Sequence, residues 1–330
     1  MTGKTDAHGK RIVGIGSALI DVLAQVSQDF LNDISDVKGG MTLVESAFID
    51  DVISRLPVKP DIVPGGSACN TIIGIGRLGG NGSFVGQCGE DDFGALFEQG
   101  LLNSGVKPQL FKSKTPTGRV VSLITPDAQR SMFTYLGASA EMNPALITEQ
   151  CFAGASVVMM EGYLLFNQEL MMAALNGAKK AGARIALDLA SFTVVEQSLD
   201  FLKENVLESI DILIANEDEA KAFTGFSDEA KALDTLAAHA DIAVLKVGAR
   251  GSYISHHGET VRVDPVKGNA PVDTTGAGDL WAAGFLYGLT QGYSMEKCGA
   301  LASSCGYEVC QVTGASIPDD GWRRIKTRLV

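Results

Sequence analysis

A regular alternation of apolar strands and helices begins near residue 150, and it limits the possible folds more than any other feature of the sequence. The strand-like runs are short and continuously apolar, and they cover residues 156–160, 184–188, 210–215 and 242–247. Continuous apolar strands between helices are typical of a parallel sheet that is buried on both faces. The sequence therefore predicts a doubly wound α/β fold, with a mostly parallel sheet and helices on both faces.

The first part of the chain does not follow this alternation. Residues 11–15 and 19–26 have the pattern of two consecutive strands, and residues 117–125 and 130–135 have the pattern of a hairpin. Such segments favour a small sheet that projects from the large one.

A single domain is expected over residues 1–330, because no Pro-rich or low-complexity linker divides the chain. We expect a small β lid to be formed approximately by residues 17–46 and 111–137. The remainder of the chain would then be the α/β body.

The composition is that of an ordinary globular protein, with 45% hydrophobic and 20% charged residues. The formal net charge is -12 and no run of lysines or arginines occurs, so we expect no nucleic-acid partner. No apolar stretch reaches the ~18 residues that a membrane span needs, and we expect no membrane contact. The six cysteines form no C-x-x-C pair, which predicts reduced thiols in a cytoplasmic protein.

The most informative motif, Asp273-Thr-Thr-Gly-Ala-Gly-Asp279, joins a glycine-rich turn to a predicted helix. Gly276, Ala277 and Gly278 let a ligand approach the backbone, and free amides at a helix N-terminus favour an anion such as a phosphoryl group. Asp279 would lie beside that anion as a base, with a pKa near the ordinary ~4. The alternative is a plain turn in which Asp279 caps the helix.

Two other glycine motifs lack the context of a nucleotide site. The match to G-x-G-x-x-G at residues 74–79 lies inside the predicted helix 70–78 and does not open a helix after a strand. Residues 3–5, Gly-Lys-Thr, resemble the end of a P-loop but lack its strand and first glycine, so we interpret them as a polar tail.

A second glycine pair, Gly65 and Gly66, precedes the helix at 70–78 and would let a ligand approach closely. Asn70 can both donate to and accept from a sugar hydroxyl, and Asp21 can accept from two neighbouring hydroxyls. The alternative is a helix start that Ser67 caps.

Polar residues also follow the later strands. Asn216 and Glu219 predict a capping box, and also a pair that holds water around Mg²⁺ beside ATP phosphates; the two interpretations are compatible. Lys246, Gly248 and Gly251 form a turn after the next strand, which faces phosphate or is a plain hairpin turn.

Taken in order, the motifs at 65–70, 216–219 and 273–279 make nearly the whole chain resemble the ribokinase or PfkB family of sugar and nucleoside kinases. The resemblance implies a ribokinase-like fold, with ATP as phosphoryl donor and Mg²⁺ as cofactor. It implies that Asp279 is the catalytic base for a primary hydroxyl, and that the amides of residues 276–278 form the anion hole. It assigns substrate contacts to Asp21, Gly65, Gly66 and Asn70, and ATP contacts to Asn216, Glu219, Lys246, Gly248, Gly251 and Thr274.

Two further implications concern cations. The family often has threonine where this chain has Lys246. Asp273, Thr275 and the region 309–315 correspond to a loop that binds a monovalent cation in many members, so activation by K⁺ is left open.

Residues 21–31, 38–43 and 130–131 are similar to the adenosine-kinase branch of the family. The similarity implies that Arg130 approaches the transferred phosphate, whereas its default interpretation is a solvated surface charge. Met41, Leu136 and Tyr163 are candidates for an adenine slot, and packing within the lid is the alternative for them.

The expected function is therefore ATP-dependent phosphorylation of a small ribose-containing molecule, with adenosine first. A kinase of free ribose or fructose is the alternative, followed by a noncatalytic nucleoside- or sugar-binding protein. A nicotinamide oxidoreductase is disfavoured by the missing dinucleotide motif. Both a monomer and a homodimer are left open.

Overall fold

The computed structural model describes residues 10–36, 38–127 and 129–328. The predicted polar tail at residues 3–5 lies outside these ranges. The strands are β1 Arg11–Ile15, β2 Leu19–Gln25, β3 Met41–Leu43, β4 Asp61–Gly65, β5 Gly82–Gly89, β6 Val106–Ser113, β7 Thr117–Ile124, β8 Arg130–Gly137, β9 Ala155–Glu161, β10 Arg184–Asp188, β11 Ile212–Asn216, β12 Ile242–Lys246, β13 Ser252–His256 and β14 Glu259–Val263. The α-helices are α1 Gln28–Ile34, α2 Ser46–Arg55, α3 Ser67–Leu78, α4 Asp92–Asn103, α5 Glu149–Phe152, α6 Gln168–Lys180, α7 Phe192–Phe201, α8 Glu217–Thr224, α9 Glu229–Ala237, α10 Ala277–Thr290, α11 Met295–Val309 and α12 Asp319–Arg328.

The large sheet has the strand order β14-β13-β12-β11-β10-β9-β1-β5-β6. Neighbouring strands are parallel from β12 to β6, and only β13 and β14 at one edge run antiparallel. The central strands carry fully buried apolar side chains that belong to two separate hydrophobic clusters. The predicted α/β fold with a mostly parallel sheet is thus confirmed, and burial on both faces explains why its strands are continuously apolar.

Helices α3 and α10 pack closely on one of these clusters because α3 has a glycine at the contact. A Cβ atom at Gly74 would lie 2.6 Å from the Cβ of Ala283 in α10. Gly74 of the match at 74–79 therefore serves helix packing, in agreement with its position inside a helix, whereas Gly79 ends α3 in the left-handed conformation.

The small sheet has the order β3-β8-β7-β2-β4 and forms the lid. It includes β4, which lies outside the segments 17–46 and 111–137 that we expected to form the lid, and residues 111–113 belong to β6 of the large sheet. The strand β4 was missed because it is short, contains Pro64 and exposes its first two residues at the edge of the sheet.

The expectations about membrane spans and cysteines can be compared with the structure over the same described ranges. Across them, no helix is both long and apolar enough to cross a bilayer. All six cysteines are free thiols, and four of them are buried. The cytoplasmic location stays a prediction.

Candidate active site

A cavity of about 790 Å³ lies between the small sheet and the carboxyl ends of the large sheet's strands. Parallel sheets bind ligands outside these strand ends. Most of the residues predicted for the site line the cavity: Asp21, Met41, Gly66, Asn70, Arg130, Leu136, Tyr163, Asn216, Glu219, Lys246, Thr274, Thr275, Gly276, Ala277, Gly278 and Asp279. The predicted residues Gly65, Asp273, Gly248 and Gly251 are not part of the cavity wall.

The glycine turn before α10 leaves backbone donors free at the helix N-terminus. Gly276 is the N-cap residue with a left-handed φ of 71°, and a Cβ there would lie 2.6 Å from the Cβ of Ala315. The amide of Ala277 donates to the carbonyl of Thr274 at 3.2 Å. Among the described residues, the amides of Gly276 and Gly278 have no hydrogen-bond partner. Two free donors at the positive end of a 14-residue helix form an anion site, but Ala277 contributes less than expected.

Asp279 lies in the first turn of α10 but does not cap it. One carboxylate oxygen accepts from the hydroxyl of Ser67 at 2.7 Å, and the other accepts from the amide of Asn70 at 2.9 Å. Both donors belong to α3, whose N-cap is Gly66 and not the expected Ser67. The carboxylate is therefore aimed into the cavity by a neighbouring helix.

Burial raises the pKa of Asp279, although the hydrogen bonds from Asn70 and Ser67 lower it. The expectation of an ordinary pKa was wrong because loss of hydration outweighs the helix N-terminus in this enclosed position. A carboxylate with a raised pKa is a better proton acceptor than an exposed one.

Asp21 is another carboxylate of the cavity, and it is buried, with an exposed fraction of 8%. Burial raises its pKa to about 7, against the opposing effect of the Arg130 charge, and Asp279 adds to the rise. Gly65 lies behind it, since a Cβ at Gly65 would be 2.3 Å from the carboxylate carbon. Gly65 thus acts by making room for Asp21, whereas Gly66 lines the cavity.

Arg130 of the lid contacts the anion loop, which is the segment 273–278 before and at the start of α10. Its guanidinium donates to the hydroxyl of Thr275, and that hydroxyl donates to Asp273 at 2.7 Å. Asp273 also accepts from the backbone amides of Thr275 and Gly314, at 2.9 and 2.8 Å. Arg130 is therefore a half-buried contact between the two layers and not a solvated surface charge.

Asn216 and Glu219 form a complete capping box at the start of α8. Each backbone amide of the pair donates to the other side chain, at 2.8 and 2.9 Å. Glu219 is 2% exposed yet lines the cavity, and burial raises its pKa. Capping and a role toward Mg²⁺ are compatible, because each carboxylate oxygen keeps a free lone pair.

The acidic side chains do not form a complete metal cage. In the described part of the chain, no group of three or more His, Cys, Asp or Glu residues could hold a metal ion. This fits Mg²⁺, which takes one or two carboxylates in phosphate sites and fills its other positions with water and phosphate oxygens. Glu219 is one of the carboxylates of the cavity wall.

Lys246 enters the cavity from the end of β12 and pairs with Asp188 at 2.9 Å. Burial lowers the pKa of Lys246, but the Asp188 and Glu219 charges raise it more, so the net shift is upward. The ammonium therefore carries its charge at neutral pH. Gly248 and Gly251 lie beyond it in the turn to β13, where Val247 donates to the carbonyl of Gly251 at 2.9 Å.

Several polar residues of the cavity wall were not predicted as functional, and Ser67, Glu161 and Thr134 are among them. Ser67 was interpreted only as a helix cap. Glu161 is 1% exposed and accepts from the amides of Ser17 and Ala68 at 2.8 and 3.0 Å. It follows an apolar strand just as Asp188 does, and that signal could have found it. Thr134 lies on the lid and gives no signal in the sequence beyond strand alternation.

Comparison with known proteins agrees with this geometry. Residues 44–321 match the model of the pfkB family carbohydrate kinases. The chain is 27% identical to a ribokinase of Arabidopsis thaliana over 95% of this chain and 80% of that one. A probable sugar kinase of Rhizobium etli and an adenosine kinase of Sinorhizobium meliloti are each 31% identical, with TM-scores of 0.89 and 0.88, and each match covers 98% of this chain and 100% of the other.

Ribokinases, fructokinases and nucleoside kinases occur among these relatives. They are phosphotransferases with an alcohol group as acceptor. The chain belongs to the PfkB family of carbohydrate kinases, and it is a phosphotransferase of this kind.

Proposed function

We propose that this kinase transfers the γ-phosphoryl group of ATP to the primary hydroxyl of a nucleoside, with adenosine as the preferred acceptor. The observation that carries the proposal is the lid wall of the cavity, where the buried carboxylate of Asp21 lies in one row with apolar side chains of the neighbouring strands. Residues for both parts of a nucleoside thus lie in one cavity beside Asp279.

The lid wall offers more apolar surface than a free sugar would cover. Met41 and Leu43 are 42% and 59% exposed, and Leu136 lies on the same wall. Solvent-exposed apolar side chains in a cavity favour a ligand with a flat, weakly polar ring.

One orphaned hydroxyl lies on this wall. Thr134 is 2% exposed, and its Oγ1 has no hydrogen-bond partner within the described chain. Its neighbours on the adjoining strands are Leu43 and Val120. A hydroxyl between two apolar residues suits a ring nitrogen or an amino group of a base, which a free sugar lacks.

Residues of both the lid and the α/β body perform the transfer. Asp21 and Asn70 orient the acceptor, and Asp279 takes the proton of its primary hydroxyl as the oxygen attacks the γ-phosphorus. The bond from the γ-phosphorus to the β–γ bridging oxygen breaks, and ADP leaves with that electron pair. The free amides of Gly276 and Gly278 stabilise the negative charge on the group in transfer. ATP with Mg²⁺ supplies the phosphoryl group when bound.

A panel of acceptors tests the proposal. With ATP and Mg²⁺, kcat/KM for adenosine should exceed that for ribose and fructose by about 10²-fold or more, because the free sugars leave the apolar wall and Thr134 without contacts. The variant Thr134→Val should reduce this difference in kcat/KM, because it should lower kcat/KM for adenosine but not for ribose or fructose. Equal or better rates with ribose or fructose would instead assign the chain to the free-sugar kinases.

The Mg²⁺ requirement tests the role proposed for Glu219. Glutamine can still accept from the backbone amide of Asn216, so Glu219→Gln should keep the capping box, but it should lose the hydrogen bond from the Asn216 side chain and one negative charge toward the metal. We expect the Mg²⁺ concentration for half-maximal activity to rise about tenfold. Asp218→Asn, an exposed neighbour on α8, is the matched control. Identical Mg²⁺ titrations of the two variants would reduce Glu219 to a helix cap.

The pKa of Asp21 predicts how acceptor binding depends on pH. The ionised carboxylate accepts stronger hydrogen bonds than the protonated acid, which keeps only part of the acceptor capacity. Because the pKa of Asp21 is raised to about 7, the affinity for adenosine should fall as pH drops through that value. Calorimetric titrations between about pH 5.5 and about pH 8.5 should show up to a tenfold loss per pH unit on the acidic side. Asp21→Asn should remove this dependence, and an unchanged profile in the variant would contradict the assignment.

Activation by K⁺ is a further part of the proposal. Asp273 and Thr275 hold the anion loop against Gly314, so a cation bound near them would stiffen the loop. Activity in KCl should then exceed activity in tetramethylammonium chloride at equal ionic strength. Equal activity in both salts would show that K⁺ does not activate the enzyme.

A further inference from the structure

Three neighbouring parallel strands of the large sheet each end in a polar residue at their carboxyl ends. Asp188, Asn216 and Lys246 are the last residues of β10, β11 and β12, and Asn216 is paired directly with Lys246. All three line the cavity, on the side of the anion loop.

The ammonium group of Lys246 reaches the anion loop itself. Its Nζ lies 3.1 Å from the position that a Cβ at Gly278 would occupy, and 2.9 Å from a carboxylate oxygen of Asp188. Asp188 is its only hydrogen-bond partner among the described residues, although an ammonium has three donors. The unused donors of Lys246 lie beside the unpartnered amide of Gly278. Several donors that converge without an acceptor form a site for an anion.

The negative charge around Lys246 explains why a phosphoryl group needs a cation at this position. Asp188, Glu219 and Asp279 all line the cavity; the first two are buried and Asp279 is half-buried. A terminal phosphoryl group would be repelled by these carboxylates in a poorly hydrated cavity unless a cation lay between them. On the body side of the cavity, Lys246 is the cation in its described wall; Arg130 belongs to the lid.

We propose that Lys246 binds the terminal phosphoryl group of the nucleotide together with the Gly278 amide, and that Asp188 is the positioning residue that holds Lys246 beneath the anion loop. The proposal rests on the phosphotransferase function and is independent of which alcohol accepts. It assigns Lys246 to the group in transfer and not to the rest of the nucleotide.

A purely structural ion pair is the competing explanation. Buried pairs can be exchanged for neutral residues of similar size with little loss of stability, whereas removal of one partner leaves a buried charge. The two explanations therefore predict different nucleotide affinities for a variant that lacks both charges.

The test compares Mg²⁺ complexes of ADP and of AMP-PNP, a nonhydrolysable ATP analogue, by calorimetry in the full-length protein. Lys246→Met should reduce the preference for AMP-PNP over ADP by about 10- to 100-fold, with ADP affinity changed by less than about threefold. The double variant Asp188→Asn with Lys246→Met should recover the melting temperature of the wild type but not the preference. Lys221→Met, an exposed lysine of α8, should change neither affinity.

Recovery of the AMP-PNP preference in the stable double variant would overturn the proposal, as would equal preferences in the wild type and Lys246→Met. Asp188→Asn alone should lower kcat and the AMP-PNP affinity together. Because these measurements need no acceptor, a γ-phosphoryl-dependent affinity without phosphorylation of adenosine would refute the proposed acceptor and leave the role of Lys246 intact.

Discussion

Asp279→Asn should reduce turnover by about 10²-fold or more while acceptor and nucleotide still bind. Asparagine has nearly the same shape and can keep hydrogen bonds to Ser67 and Asn70, but it cannot take a proton from a hydroxyl. The loss should therefore appear in kcat, with KM and the dissociation constants of both substrates changed by less than about threefold.

The pH profile distinguishes loss of a base from loss of structure. In the wild type, burial raises the pKa of Asp279, so kcat should fall as the solution becomes acidic and the carboxylate is protonated. Asp279→Asn should retain a small activity that lacks this acidic limb. A variant with near-normal kcat, or one that has lost binding of both substrates, would refute the assignment of Asp279 as the base.

Asp21→Asn should have the second-largest effect, and it should act on the acceptor alone. The buried carboxylate can accept from two neighbouring hydroxyls, and hydrogen bonds to a charged group contribute about 1.5–3 kcal/mol each. We expect kcat/KM for adenosine to fall by about 10²-fold, through KM, while nucleotide affinity is retained.

A deoxynucleoside supplies the matched control for Asp21. An acceptor without one of the two ribose hydroxyls should bind the wild type weakly. The variant Asp21→Asn should reduce the affinity for this acceptor by a smaller factor than the affinity for adenosine. Equal losses for both acceptors would mean that the carboxylate does not bind those hydroxyls and serves only to shape the lid.

The fold could be predicted from local patterns because most strands of its sheets have a recognisable pattern in the sequence. Continuous apolar strands predicted the parallel sheet, and two strand-like runs separated by a short turn predicted the hairpin of β7 and β8. The edge strand β4 was not predictable in the same way, since it contains proline and buries little surface of its own. Edge strands obtain their structure from a neighbour, which here is β2.

The sequence could predict which residues at strand ends and helix starts belong to the site. It could not predict the hydrogen bonds that connect them. Ser67 and Asp279 are 212 positions apart, so only the packed structure shows that the serine orients the carboxylate and does not cap α3. The raised pKa of Asp279 has the same origin, because burial is produced by tertiary packing. Lys246 appeared in the sequence as an exception to a family pattern, and its partner Asp188 lies two strands away in the sheet.

The most direct test of the central claim is the identity of the phosphorylated product. The wild-type protein should convert ATP and adenosine into ADP and adenosine 5′-monophosphate in equal amounts, as ³¹P NMR of the reaction mixture would show. It should leave 5′-deoxyadenosine unphosphorylated, because that molecule lacks the primary hydroxyl from which Asp279 takes a proton. Phosphate on another hydroxyl, or ATP consumption that is the same with 5′-deoxyadenosine, would contradict the account.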